Sequence, residues 1–126
     1  MSYVGFEENP SYELAQKYFR NGAACVISVD LKGTLESTVK LVEGLRLVAN
    51  MTMIGDSISV VTHPASTTHK QLSAEALERA GISPTLLRIS AGLEAVEDII
   101  EDFEQSLLKS NAKFKMQNVK LKLANG

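Results

Sequence analysis

The spacing of apolar residues changes period several times along the chain, and each change marks an element. Asn9-Pro10 opens a first helix, because asparagine caps helix starts well and proline suits the first helical position. That helix continues through Tyr12, Leu14, Ala15 and Phe19, and Asn21-Gly22 stops it. Residues 23–31 are apolar and β-branched around Val26, Ile27 and Val29, which predicts a strand. After the turn at Lys32-Gly33, Leu35, Val39, Val42 and Leu45 recur at helical spacing and predict a helix over 34–46. A short apolar run at 47–49 reads as a strand. A loop over 50–56 follows, with Gly55-Asp56 as its turn signal. Residues 58–62 predict another strand, and the polar stretch 63–69 another loop. Ser73 caps a short helix over 74–79 that Gly81 closes. Residues 86–90 alternate, with Leu87 and Ile89 on one face and Leu86 and Arg88 on the other.

The last helix carries the strongest signal. Val96, Ile99, Ile100, Phe103 and Leu107 form an apolar stripe. Glu97, Asp98, Glu101, Asp102 and Glu104 read as its solvated face. Short strands mixed with helices, without a strict strand–helix–strand rhythm, predict an α+β fold. The expected architecture is a small, mainly antiparallel sheet with helices packed on one face. Residues 1–9 read as an irregular leader, 10–110 as one small domain, and 111–126 as a basic tail or edge strand. In that tail, charged and apolar residues alternate at Lys113-Phe114-Lys115-Met116 and Val119-Lys120-Leu121-Lys122-Leu123.

Composition narrows the function classes. The chain has 126 residues, 44% of them hydrophobic, which suits one domain with a real core. A formal net charge of -2 offers no basic face for nucleic acid. No apolar run approaches the roughly 20 residues of a membrane span. The segment MSYVGFEENP has neither the basic nor the apolar region of a secretion signal. A single cysteine, Cys25, excludes an internal disulfide, and a cytoplasmic location is expected.

Catalytic groups are sparse. His63 and His69 share one loop without further ligands at metal-site spacing, so loop-stabilising hydrogen bonds are expected of them rather than a metal site. Cys25 falls in a strand and reads as core. Arg88 stands out, because it lies inside the apolar run Leu86-Leu87-Arg88-Ile89-Ser90. A buried guanidinium without a partner is costly, so Arg88 either closes an internal salt bridge, with Glu94 or Asp56, or meets an anion with its rigid fork.

Several segments together resemble the O-acetylhomoserine sulfhydrylases. His63-Pro64-Ala65-Ser66-Thr67-Thr68-His69, followed by Gln71-Leu72-Ser73, resembles a loop signature of that family. Arg88-Ile89-Ser90-Ala91-Gly92-Leu93-Glu94 resembles its R-x-S-x-G-x-E segment, and Glu97-Asp98-Ile99-Ile100 the continuation. Asn9-Pro10-Ser11-Tyr12-Glu13-Leu14-Ala15 and Val29-Asp30-Leu31-Lys32-Gly33 match in order and spacing. The likeness covers about residues 9–108. It places the chain among the Cys/Met-metabolism enzymes that use pyridoxal phosphate (PLP), as their C-terminal small domain.

The resemblance implies a division of labour. A large domain holds PLP through a lysine, a phosphate site and a ring partner, and the cofactor serves as electron sink. Acetate leaves from Cγ of the substrate, and sulfide or a thiol adds, giving homocysteine or methionine. The small domain clamps the substrate α-carboxylate with the arginine of R-x-S-x-G-x-E, here Arg88. No catalytic, cofactor-binding or metal residue is expected within this chain. By itself it is predicted to be inactive, with a separate PLP-binding large domain or self-association as its partnership. The sequence departs from the family at Met53, where many relatives carry a serine two residues before Gly55. The competing function is a non-catalytic α+β module that binds an amino acid or a partner protein. Because the small domain of the resembled family docks on a large domain, an uneven apolar surface is expected, with Met51, Met53 and Ile54 and Tyr3, Val4 and Phe6 as candidates.

Overall fold

The computed structural model describes residues 1–110, so the expected tail at 111–126 lies outside the described residues. Four helices and four strands follow one another as α1 (Tyr12–Tyr18), β1 (Val26–Asp30), α2 (Leu35–Gly44), β2 (Ala49–Asn50), β3 (Val60–Thr62), α3 (Ala74–Arg79), β4 (Leu86–Ser90) and α4 (Val96–Ser110). A 3₁₀ turn, Pro64–Ser66, sits within the segment expected as plain loop. The strands form one sheet in the order β1-β4-β3-β2. β4 runs antiparallel to both β1 and β3, and the two-residue β2 pairs parallel with β3. This is the expected α+β architecture with a mainly antiparallel sheet.

Alternation decides which residues of the sheet form the core. Val29, Leu87 and Val61 point to the helices and are buried with Leu31, Leu41, Val42 and Val48. Ile27, Ile89, Ile99, Phe103 and Leu107 pack against this cluster and remain half-buried. Fully burying one such aliphatic side chain contributes roughly 1.5–3 kcal/mol.

The expected register of α2 requires correction. Thr38, Leu41 and Val42 are its buried residues, whereas Leu35 is exposed. Together with half-buried Leu45 they form a perfect i, i+3, i+4, i+7 stripe that includes a threonine. Thr38 tolerates burial because its hydroxyl donates to the Thr34 carbonyl at 3.0 Å. The helix starts at a capping box, in which the Thr34 and Ser37 side chains each accept the other residue's backbone N–H.

Two element ends also shift. β1 begins at Val26 rather than at residue 23, because its ladder ends where Val26 meets Ser90, the last residue of β4. α1 begins at Tyr12, and Asn9 instead accepts the Ser11 N–H at 2.9 Å, one turn before the helix. Ser2 forms an antiparallel bridge with Ser28, which lays the leader along the outer edge of β1.

The reading of the acidic face of α4 fails at Asp102. Its carboxylate is buried (6% exposed) and accepts the backbone N–H groups of Arg46, Leu47 and Val48 at 2.8–2.9 Å. Those are the donors left open where the chain leaves α2 and approaches β2. Burial pushes the Asp102 pKa up, but the N–H groups of Val48, Arg46 and Leu47 and the Gln105 amide outweigh it, and the net shift is downward. Next along the same face, Ser106 is fully buried and donates to the Leu41 carbonyl at 2.5 Å. Gly44 lies against Ser106, and a Cβ at that position would collide with the Ser106 hydroxyl.

The apolar stripe of α4 faces β1 and β4 as expected, but the contact is open. A cleft of about 150 Å³ remains between them, lined by Val96, Ile100, Phe103, Ile27 and Ile89 among others, with no polar surface. Val96 is 40% exposed.

Candidate functional site

The R-x-S spacing has a direct geometric meaning on β4. Arg88 and Ser90 are two residues apart, so they share the face opposite Leu87 and Ile89. Both reach the loop over 51–56. The Ser90 hydroxyl accepts the Gly55 N–H at 3.0 Å, and Arg88 Nη2 donates to the Thr52 carbonyl at 2.8 Å. Thr62, the cross-strand partner of Arg88 on β3, adds a third anchor. Its hydroxyl donates to the Met51 carbonyl at 2.6 Å and accepts from Arg88 Nη2 at 3.3 Å.

Arg88 is half-buried, and its partners are neutral oxygens. The two carboxylates considered for an internal salt bridge are engaged elsewhere. Asp56 accepts the Ser57 N–H and hydroxyl. Glu94 accepts the Ser59 N–H at 2.7 Å and the Ser59 hydroxyl at 2.8 Å. Among the described residues, the ion pair is Glu36 with Lys40 on the surface of α2. The guanidinium is thus held in place without being neutralised.

Glu94 belongs to the frame of the site. The N–H and the hydroxyl of Ser59, together with the backbone around Glu94, hold its carboxyl below the usual range. The Ser59 hydroxyl in turn accepts the Gly92 N–H at 2.8 Å. A Cβ on Gly92 would strike the backbone at Ile58 and Ser59, so only glycine allows this close approach. The A-G-L-E part of the segment therefore locks the turn after β4 onto the start of β3.

His63 is 1% exposed and serves as a strut. Nε2 donates to the Pro84 carbonyl at 2.9 Å, and Nδ1 meets the Ser66 hydroxyl at 2.7 Å. A carbonyl only accepts, so Nε2 carries a hydrogen. His69 bonds its neighbour Thr68. Cys25 departs from the expectation of core: it precedes β1 and is exposed.

Arg88 was legible as a candidate because a charge interrupts an apolar run. Thr62 and the Thr52 carbonyl were not, because strand pairing alone brings them to a residue 26 or more positions away. Met53 is exposed on the loop.

Residues 1–108 match the model of the Cys/Met metabolism PLP-dependent enzymes. The chain belongs to this family. It is 43% identical over 106 residues to a sulfhydrylase of Fusarium oxysporum f. sp. lycopersici, covering 84% of this chain and 24% of the relative. It is 38% identical over 107 residues to O-acetyl-L-homoserine sulfhydrylase 1 of Thermus thermophilus, covering 85% and 25%. Its fold superposes on the crystal structure of cystathionine gamma synthase from Xanthomonas oryzae pv. oryzae with a TM-score of 0.73, at 33% identity and 86% and 28% coverage. The chain therefore spans about a quarter of the length of the relatives it matches.

The family is PLP-dependent, but the described residues do not fit the cofactor. The cofactor needs an enclosed amine, a phosphate cradle and a partner for the ring nitrogen. Lys17, Lys32, Lys40, Lys70 and Lys109 all lie exposed on the surface. The cleft beside α4 has no polar lining. No group of His, Cys, Asp and Glu among the described residues could hold a metal ion. No described helix is long and apolar enough to cross a membrane.

Proposed function

We propose that this chain works as the small domain of an O-acetylhomoserine sulfhydrylase-type enzyme of sulfur amino acid metabolism. In this reading it supplies Arg88 as the clamp for the substrate α-carboxylate, and a separate polypeptide or domain supplies the PLP site. The observation that carries the proposal is the state of Arg88, a half-buried guanidinium anchored by a carbonyl and a hydroxyl and left without a carboxylate partner among the described residues. A carboxylate bound there completes the charge balance that the fold leaves open. The chain contributes positioning: it fixes the substrate's carboxylate end, which sets the angle of Cα to the reacting group.

The test is acetate release from O-acetylhomoserine with PLP and sulfide, with and without a PLP-binding large domain. The chain alone should not exceed a lysine-rich control protein. With the large domain, turnover should appear. Arg88→Lys should then weaken it strongly, because a point charge cannot reproduce the bidentate fork. Turnover by the chain alone, abolished in Arg88→Ala, would show instead that it is an enzyme by itself. No turnover in any combination would favour a non-catalytic module that binds an amino acid or a partner protein.

A further inference from the structure

We infer that Thr62 is a positioning residue that fixes the Arg88 guanidinium and selects the edge it presents to a carboxylate. This rests on the carboxylate-clamp reading of Arg88. The reasoning counts hydrogens. Arginine has five donors: one on Nε and two on each Nη. A carboxylate is gripped in one of two ways, by Nη1 with Nη2 or by Nε with Nη2, and both need an Nη2 hydrogen. Here Nη2 donates to two acceptors, the Thr52 carbonyl at 2.8 Å and the Thr62 hydroxyl at 3.3 Å, and its two hydrogens are matched in number to those two oxygens.

The two partners differ in permanence. Thr62 is 2% exposed on β3, directly across from Arg88 in the ladder. Its own hydroxyl hydrogen goes to the Met51 carbonyl at 2.6 Å, so toward Arg88 it can only accept. The chain of bonds therefore has one direction, from Arg88 through Thr62 to Met51, and the sheet holds it. Thr52 lies on the exposed loop. Its carbonyl oxygen stands in for one carboxylate oxygen, and an incoming carboxylate replaces it. Thr62 keeps the other Nη2 hydrogen, which leaves one of the two forks available and excludes the other. Strand pairing thus fixes the side from which the substrate carboxylate approaches.

The experiment reads the order of the Arg88 Nε–H bond in the ¹⁵N-labelled full chain by NMR relaxation. Rigid groups give order parameters of about 0.85 and flexible ones below about 0.6. Wild type should lie near the rigid value. Thr62→Val should drop Arg88 into the flexible range while the amides of Val29 and Leu87 stay unchanged. Thr62→Ser should restore it, because serine keeps the oxygen. An unchanged Arg88 in a folded Thr62→Val, or no rescue by serine, would overturn the inference.

A second measurement needs only the wild type. Proton exchange at the Arg88 Nη2 group should be at least about tenfold slower than at Arg20 and Arg79, the equivalent of roughly one hydrogen bond to a charged group. Equal rates would overturn the inference even if Thr62→Val does not fold. Failure of the carboxylate reading shows separately, as turnover insensitive to Arg88→Lys in the reconstituted enzyme with Arg88 order still dependent on Thr62.

Discussion

Helix α4 has two inward sides, and they reverse the usual association of apolar with closed. The side toward α2 carries Asp102, Ser106 and Ser110, and all three are buried. The side toward β1 and β4 carries Val96, Ile99, Ile100, Phe103 and Leu107, and it borders an open cleft. The polar side closes because its groups match backbone groups that need partners: Asp102 takes three N–H donors after α2, Ser106 donates to the Leu41 carbonyl, and the adjacent Gln105 amide donates to the Gly44 carbonyl. The apolar side only has to approach the sheet, and non-directional attraction leaves its final distance to the surroundings. Specific hydrogen bonds set where α4 sits, and apolar burial follows from that placement.

The comparison is broken most directly at Asp102. Asp102→Ala removes the shared acceptor of three backbone N–H groups, of which that of Val48 is buried, and should cost about 2–3 kcal/mol, read as a fall in denaturant midpoint. A loss under about 1 kcal/mol would show that the polar side does not fix the helix. Acid should reveal the same bond. The folded-state pKa of Asp102 is lowered, so the folded state binds its proton less readily than the unfolded chain. The contribution is therefore complete above the unfolded value of about 4 and is lost as pH falls through the lowered folded value. Glu94 is lowered too and adds to the same acid-side slope. Asp102→Asn should flatten that slope in a series of melts.

Gly44→Ala tests how closely α2 and α4 approach. Alanine is the better helix former, but its Cβ meets the Ser106 hydroxyl, so a net loss of about 1–2 kcal/mol is expected. Gly44→Ala combined with Ser106→Gly should recover part of it. On the apolar side, Phe103→Ala should cost about 1–2 kcal/mol. That is below the 3–5 kcal/mol typical of a fully buried phenylalanine, because Phe103 is only partly buried beside the cleft. The smallest effect is expected at Arg88. Arg88→Lys should change stability by no more than about 0.5 kcal/mol, because its partners are neutral and the loop over 51–56 keeps its other anchors at Thr62 and Ser90.

The sequence resolved the fold class and most elements well. β4 and α3 were legible to the residue, because alternation in the first and a serine cap with a closing glycine in the second are local signals. The register of α2 was misread because Thr38 looks polar in a list of residues, and its back-bond to Thr34 hides that polarity only once the helix has formed. Asp102 looked like one more acid on a charged helix for a similar reason. Its acceptors' partners lie 54 to 56 positions away, beyond the reach of any periodicity.

The candidate site divides along the same line. The sequence by itself determined that Arg88 and Ser90 share one face of β4, that this face opposes the core, and that a charge in an apolar run needs a partner or an exit. Only the tertiary structure decided which partners it has. The two carboxylates that the sequence offered, Glu94 and Asp56, are turned to Ser59 and Ser57, while Thr62 and the Thr52 carbonyl take the guanidinium. The reason is that alternation along a strand is a property of the local backbone, whereas the identity of the neighbour across it depends on register, and register is set only when β3 and β4 pair.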